Sequence, residues 1–142
     1  MTVPARVSFV TLAVRDMARM QRFYRQFGWP ESKFTDDTFA AFQSGGAVLG
    51  LYGADNYAKD HGPLPPPGTF RGVVLAINCR DATEVDRIHT AMRGFDGITI
   101  HGEPHDLSFG RTFEWSDPEG NVWEVTYANG TSFDEREGLI FP

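Results

Sequence analysis

A single cysteine, Cys79, stands in a chain of 142 residues. That excludes an intramolecular disulfide and any cysteine-cluster zinc site, and it fits a reducing compartment. No apolar run approaches the roughly 20 residues of a membrane span, and Met1–Arg6 lacks the charged and apolar regions of a signal peptide. A soluble, cytoplasmic protein with no membrane partner is the expectation. Positive charge is also short: 13 Lys and Arg stand against 19 Asp and Glu. The formal net charge of −6 would repel a phosphate backbone, so nucleic acid is not an expected partner. GxSxG, Walker and GxGxxG arrangements are all missing, which removes the common signals for an activated serine or a bound nucleotide.

What is present is enough for one ordinary domain, because 41% hydrophobic and 13% aromatic residues supply a core. Val7–Val14 reads as a strand, Asp16 stands at a helix N-cap position, and Met20, Phe23, Tyr24 and Phe27 recur at helical period before Gly28. Thr38–Phe42 and Ala47–Tyr52 then read as strands around the turn Ser44–Gly46. From Val73 the order repeats. Val73–Cys79 is a strand, Asp81 and Glu84 form a capping box, and Val85, Ile88 and Met92 mark a helix face. Ile98–His101, Arg111–Trp115 and Val122–Tyr127 are the following strands, the last two joined by the turn Asp117-Pro118-Glu119-Gly120. Val10–Asp16 superposes on Leu75–Asp81, and Gly46 on Gly120, so the chain is an internal duplication whose halves are too small to stand alone. The stiff stretch Pro63–Gly68 links them.

At these residues the chain resembles the vicinal oxygen chelate superfamily, the glyoxalase, bleomycin-resistance and extradiol-dioxygenase proteins. Phe113–Val125 (FEWSDPEGNVWEV) is similar to the family's F-x-x-DPxGNxxE pattern, and Val10–Asp16 followed by Phe23-Tyr24 to its opening. The resemblance implies an α+β fold in which two βαβββ modules form a curved mixed-sheet cup. Residues 1–142 would make one such domain: module 1 at about 5–60, a linker at 61–68, module 2 at about 69–130 and a tail at 131–142. It also implies a homodimer, as members commonly pair or exchange modules. The apolar tail residues Phe133, Leu139, Ile140 and Phe141 are expected to dock on the body or on a second chain.

In metal-dependent relatives four cup-facing positions carry ligands. Carried onto this chain they fall at Phe9, Gly50, Val74 and Glu124, of which only Glu124 has a donor atom. No metal site and no cofactor are therefore expected, a divalent cation at Glu124 included. Glu124 remains as a lone carboxylate among apolar neighbours, open to three readings: a general base, an anchor for a ligand's polar or cationic group, or one half of an internal ion pair with Arg111. His101 and His105 fall in a rim loop, since Gly102 and Pro104 forbid the helix that would bring them together. Candidate walls of the cup are Phe9, Thr11, Tyr52, Val74, Ala76, His105, Phe109, Arg111, Phe113 and Glu124, a set suited to an apolar or aromatic ligand, cations among them. The leading expectation is a metal-independent small-molecule binding protein. The alternative is a lyase, isomerase or oxygenase that uses Glu124 as a base or, with His101 and His105, in an atypical metal site.

Overall fold

The computed structural model describes residues 3–142, so the first two residues of the segment read above for a leader lie outside it. The fold is α+β, with three helices over mixed sheets. By internal contacts the chain divides into two compact units, Met1–Leu64 with Arg136–Gly138, and Pro65–Glu135 with Leu139–Pro142. The first boundary falls inside the proline-rich stretch.

In the first unit β1 (Phe9–Val14) leads into α1 (Met17–Arg25), followed by β2 (Phe39–Gln43), β3 (Val48–Gly53) and α2 (Ala54–His61). β3 is central, parallel to β1 and antiparallel to β2. The Asp16 carboxylate accepts the Arg19 N–H at 3.0 Å, a cap worth about 1 kcal/mol. Gly28 ends the turn after α1 at φ 72°, a backbone state in which only glycine is unstrained. Met20, Phe23 and Tyr24 are buried, with Tyr24 and Phe42 rings 6.3 Å apart, so α1 covers the face made by Val10, Leu12, Val14, Ala40, Phe42, Leu49 and Leu51. α2 was not foreseen from sequence. None of its side chains is buried and none caps it.

In the second unit β4 (Val74–Asn78) leads into α3 (Ala82–Met92), then β5 (Thr99–Ile100), β6 (His105–Leu107), β7 (Gly110–Ser116) and β8 (Val122–Ala128). The sheet runs β4-β8-β7-β5, with β6 also on β7. Asp81 caps α3 by accepting the Glu84 N–H at 2.8 Å, while the Glu84 carboxylate returns to the Arg80 N–H at 2.7 Å, one residue before the usual capping box. The β7–β8 turn closes with Gly120 N–H on the Asp117 carbonyl, and Asp117 Oδ1 accepts the N–H groups of Glu119 and Asn121. A turn held in this way fixes the β7–β8 register. α3 packs through Val85, His89 and Met92 on the face carrying Phe113, Trp115, Trp123 and Val125, where the two tryptophans stack at 5.2 Å.

The tail forms a small hairpin, β9 (Ser132–Phe133) with β10 (Leu139–Ile140). Phe133 lies under the Arg80 guanidinium at 4.8 Å, as docking on the body requires. Leu139, Ile140 and Phe141 stay exposed, so of the two expected docking places the body of this chain does not cover them. Within the first unit, Arg136 and Glu137 lie against Gly45, leaving no room for a side chain there.

Candidate functional site

Strand register decides which residues share a surface. In the second unit, residues paired across strands point to the same face, so the face turned away from α3 carries four rows, one of them the apolar Leu107, Gly110 and Ala128. Of the other three, one is Glu114, Glu124 and Ala76, extended by His101, whose N–H donates to the Glu114 carbonyl just beyond β5. The second is His105, Thr112, Thr126 and Asn78. The third is Thr99, Ser116, Val122 and Val74. Every charged or titratable group on this open face is a carboxylate or an imidazole; none of its positions holds Lys or Arg.

Glu124 is half-buried and Glu114 exposed, directly opposite each other on β8 and β7. Neither makes an ion pair or side-chain hydrogen bond with any described residue. The expected internal pair with Arg111 does not form. Arg111 shares the opposite face with Phe113 and Trp115, and binds Asp106 Oδ1 at 2.8 Å and Asp86 Oδ1 of α3 at 2.9 Å. Those two carboxylates hold the guanidinium pKa above its ordinary value. Phe113 is likewise corrected: it is buried edge-on against His89 of α3 at 4.9 Å and is no wall of Glu124's face. Phe109 sits in the β6–β7 turn, exposed, with its carbonyl accepting the Asn129 N–H.

The polar groups on the open face are oriented. His101 Nε2 lies 2.7 Å from the Ser116 hydroxyl. His105 is in a strand, not the loop expected, and its Nδ1–H donates to the Glu103 carbonyl at 3.2 Å. A carbonyl only accepts, so neutral His105 carries its proton on Nδ1 and keeps a lone pair on Nε2. Thr112 donates to the Val125 carbonyl at 3.1 Å and therefore accepts from Thr126 at 2.7 Å.

In the first unit the face away from α1 carries Phe9, Thr11, Gly50, Tyr52, Ala41 and Phe39. Phe9 and Phe39 stack at 6.4 Å, and the Phe9 ring fills the space that a Cβ on Gly50 would take. Tyr52 donates to Asp60 of α2 at 2.8 Å, and that carboxylate pushes the phenol pKa up. The donor set does not fit the metal that the family's ligand positions would imply. Phe9, Gly50 and Val74 offer no donor, and an aromatic ring occupies the room at Gly50. Among the described residues no three His, Cys, Asp or Glu side chains are grouped to hold a metal ion.

Sequence reading located Glu124, Thr11, Tyr52, Ala76 and Val74 on these open faces, but it placed His105 in a rim loop and missed Glu114, Ser116 and Phe39. The signal for Glu114 was available in the alternation Phe113-Glu114-Trp115, which sends the carboxylate away from its two buried neighbours.

Residues 6–125 match the model of the Glyoxalase/Bleomycin resistance protein/Dioxygenase superfamily. Among solved structures, the chain is similar to a glyoxalase-related enzyme from Fulvimarina pelagi, with 25% identity, TM-score 0.82, and coverage of 96% of this chain and 98% of that one. A glyoxalase/bleomycin resistance protein/dioxygenase family enzyme from Burkholderia phytofirmans PsJN shows 21% identity and TM-score 0.76 over 87% and 99% of the two chains. A lactoylglutathione lyase from Agrobacterium tumefaciens shows 23% identity and TM-score 0.69 over 88% and 95%. No curated protein matches the chain.

Proposed function

Starting from the Glyoxalase/Bleomycin resistance protein/Dioxygenase superfamily, to which this chain belongs, we propose that it is a cytoplasmic, metal-independent small-molecule binding protein. Its ligand contacts are the open sheet faces. The observation that carries this reading is Glu124, a half-buried carboxylate with no partner among the described residues. Desolvating a charge without compensation is costly, and a ligand's polar group supplies the compensation. The Phe9, Phe39 and Tyr52 face of the first unit, taken by itself, is an aromatic surface of the kind that accepts apolar groups. Binding of this kind needs shape and hydrogen bonds but no Lewis acid, which agrees with donor-free Phe9, Gly50 and Val74.

The test is to purify the protein from its own cells without denaturant, release what it carries and weigh it by mass spectrometry. A small organic molecule near one per chain is expected, and Glu124→Gln should lose most of it while melting at the same temperature. A wild-type protein that releases nothing, or a variant that retains the molecule fully, overturns the reading. The enzymatic alternative is favoured by His105, whose Nε2 lone pair is that of a general base. It predicts that the released molecule is turned over, with the rate abolished in Glu124→Gln.

The proposed assembly is a homodimer. β1 and β4 each pair on one edge only among the described strands. Exposed apolar groups cluster near them, Val7 and Phe9 by β1 and Phe70, Val73 and Val74 by β4, and Ile140 and Phe141 add to these. Such edges and patches are ordinarily covered, most often by two-fold pairing. Light scattering at micromolar concentration is expected to return about twice the 15.9 kDa chain mass; a single-chain mass throughout dilution rejects the dimer.

A further inference from the structure

Four asparagines occur in the chain, and only Asn129 is followed by glycine. The amide carbon of an asparagine is open to attack by the backbone nitrogen of the next residue, which is why asparagine is a labile side chain. The surroundings of each asparagine decide where that attack is free to run. At Asn78 the following nitrogen is spent, since Cys79 N–H donates to the Thr126 carbonyl at 2.8 Å. At Asn121 the amide itself is held, Nδ2 donating to Asp117 Oδ2 at 2.8 Å, and the β-branched Val122 follows. Asn56 lies inside α2, ahead of the bulky Tyr57.

Asn129 and Gly130 are both exposed and form the centre of the turn that joins β8 to β9. The turn is closed from its ends, by the Thr131 N–H and hydroxyl on the Ala128 carbonyl at 3.4 and 2.7 Å. Such closure leaves the N–H of the central peptide unused, and Gly130 N–H has no acceptor among the described residues. Nor does the Asn129 side-chain amide bond to any of them, although its backbone N–H is anchored on the Phe109 carbonyl at 2.8 Å. Gly130, at φ 84°, brings no Cβ to hinder ring closure.

We propose that Asn129 is a self-modification site, at which the chain deamidates to isoaspartate and loosens its own C-terminal hairpin. The Gly130 nitrogen, having lost its proton to hydroxide, bonds to Asn129 Cγ. The Cγ–Nδ2 bond breaks, and ammonia leaves with a proton from water. Water then opens the cyclic imide at either carbonyl, giving aspartate or isoaspartate, and nothing is oxidised or reduced. In isoaspartate the main chain runs through Cγ and gains a methylene, while the former main-chain carbonyl becomes a free carboxylate. Both bonds that close the turn span this position, so the added atom parts Thr131 from Ala128. β9 starts at the next residue, Phe133 packs under Arg80, and Pro142 lies beside Gly130, so the hairpin loses its fixed base.

Fresh full-length protein and protein held for weeks at neutral pH are digested at acid pH, and the peptides are weighed and assayed for isoaspartate by enzymatic carboxyl methylation. The Asn129 peptide is expected to gain the mass difference between a hydroxyl and an amino group, to resolve into two products with isoaspartate in excess, and to form faster as pH rises. Asn56, Asn78 and Asn121 should stay intact, as should Asn129→Gln, whose longer side chain closes a less favoured ring. The rate should match that of a free peptide spanning residues 127–133. A folded rate slower by about a hundredfold or more, as reaction only through rare local opening requires, overturns the assignment; so does another asparagine reacting ahead of Asn129. Hydrogen exchange over residues 131–141 reads the consequence. It should be faster in the isoaspartyl protein than in fresh protein and unchanged in Asn129→Asp, which has the new charge without the extra methylene. Equal exchange in fresh and isoaspartyl protein, or equal acceleration in Asn129→Asp, overturns the loosening by a lengthened backbone.

Discussion

Replacing Trp115 with alanine is expected to lower the unfolding free energy by about 3–5 kcal/mol, the range for deleting a large aromatic side chain from a packed interior. Trp115 is completely buried, and its ring lies parallel to that of Trp123 at 5.2 Å. It sits on β7 between Glu114 and Ser116 but points the other way, toward α3. The second unit is small enough that no neighbouring element can close the void, and the stacked partner Trp123 loses one face of its packing. Urea denaturation read by far-ultraviolet circular dichroism measures the change. A loss under about 1 kcal/mol would mean that the site collapses easily and that the helix-side core is looser than described.

Gly110→Ala is the next largest expected effect. A Cβ on Gly110 would fall on the Tyr127 carbonyl of β8 and within 2.8 Å of its carbon, so the obstacle is backbone and cannot rotate away. Either the start of β7 parts from β8 or the strands shift, at a cost of about 3 kcal/mol, the upper end for overpacking. The same shift would displace Thr112 and Glu114 on the open face, so ligand binding should fall along with stability. Gly46→Ala serves as the control, because a Cβ there meets nothing within 4 Å, and it should stay within about 0.5 kcal/mol of the wild type. Equal melting temperatures for the two variants would contradict the β7–β8 packing.

What the sequence made legible and what it hid separate along physical lines. Asp16 and Asp81 announced both main helices, because a carboxylate is the simplest way to satisfy free N–H groups at a helix start, and both do so. The stripe Met20, Phe23 and Tyr24 was readable because burial demands helical period, and all three are buried. α2 left no such trace. Its sequence ADNYAKDH has only Tyr57 and two alanines among polar residues, it buries nothing and Gly53 cannot cap it, so neither period nor cap marks it. β6 is three residues long, too short for alternation to register.

The site was legible in half. Glu124 could be placed on its face from its own strand, since Val122 and Thr126 accompany it. Arg111 and Phe113 were assigned to the wrong side because a facing requires cross-strand register in addition to alternation. The Asp117 turn sets that register and places Glu114, not Phe113, opposite Glu124. Arg111, the natural partner for a lone carboxylate in a one-dimensional reading, is held on the far side of the sheet by Asp86 and Asp106.

The central claim is that binding occurs at these faces without a metal. The measurement that tests it most directly is calorimetric titration of the carried ligand into protein dialysed exhaustively against EDTA, with elemental analysis of the same sample. The account predicts at most about a tenth of a metal ion per chain and an affinity equal to that of undialysed protein. Binding that vanishes with the chelator and returns on adding a divalent cation would contradict it.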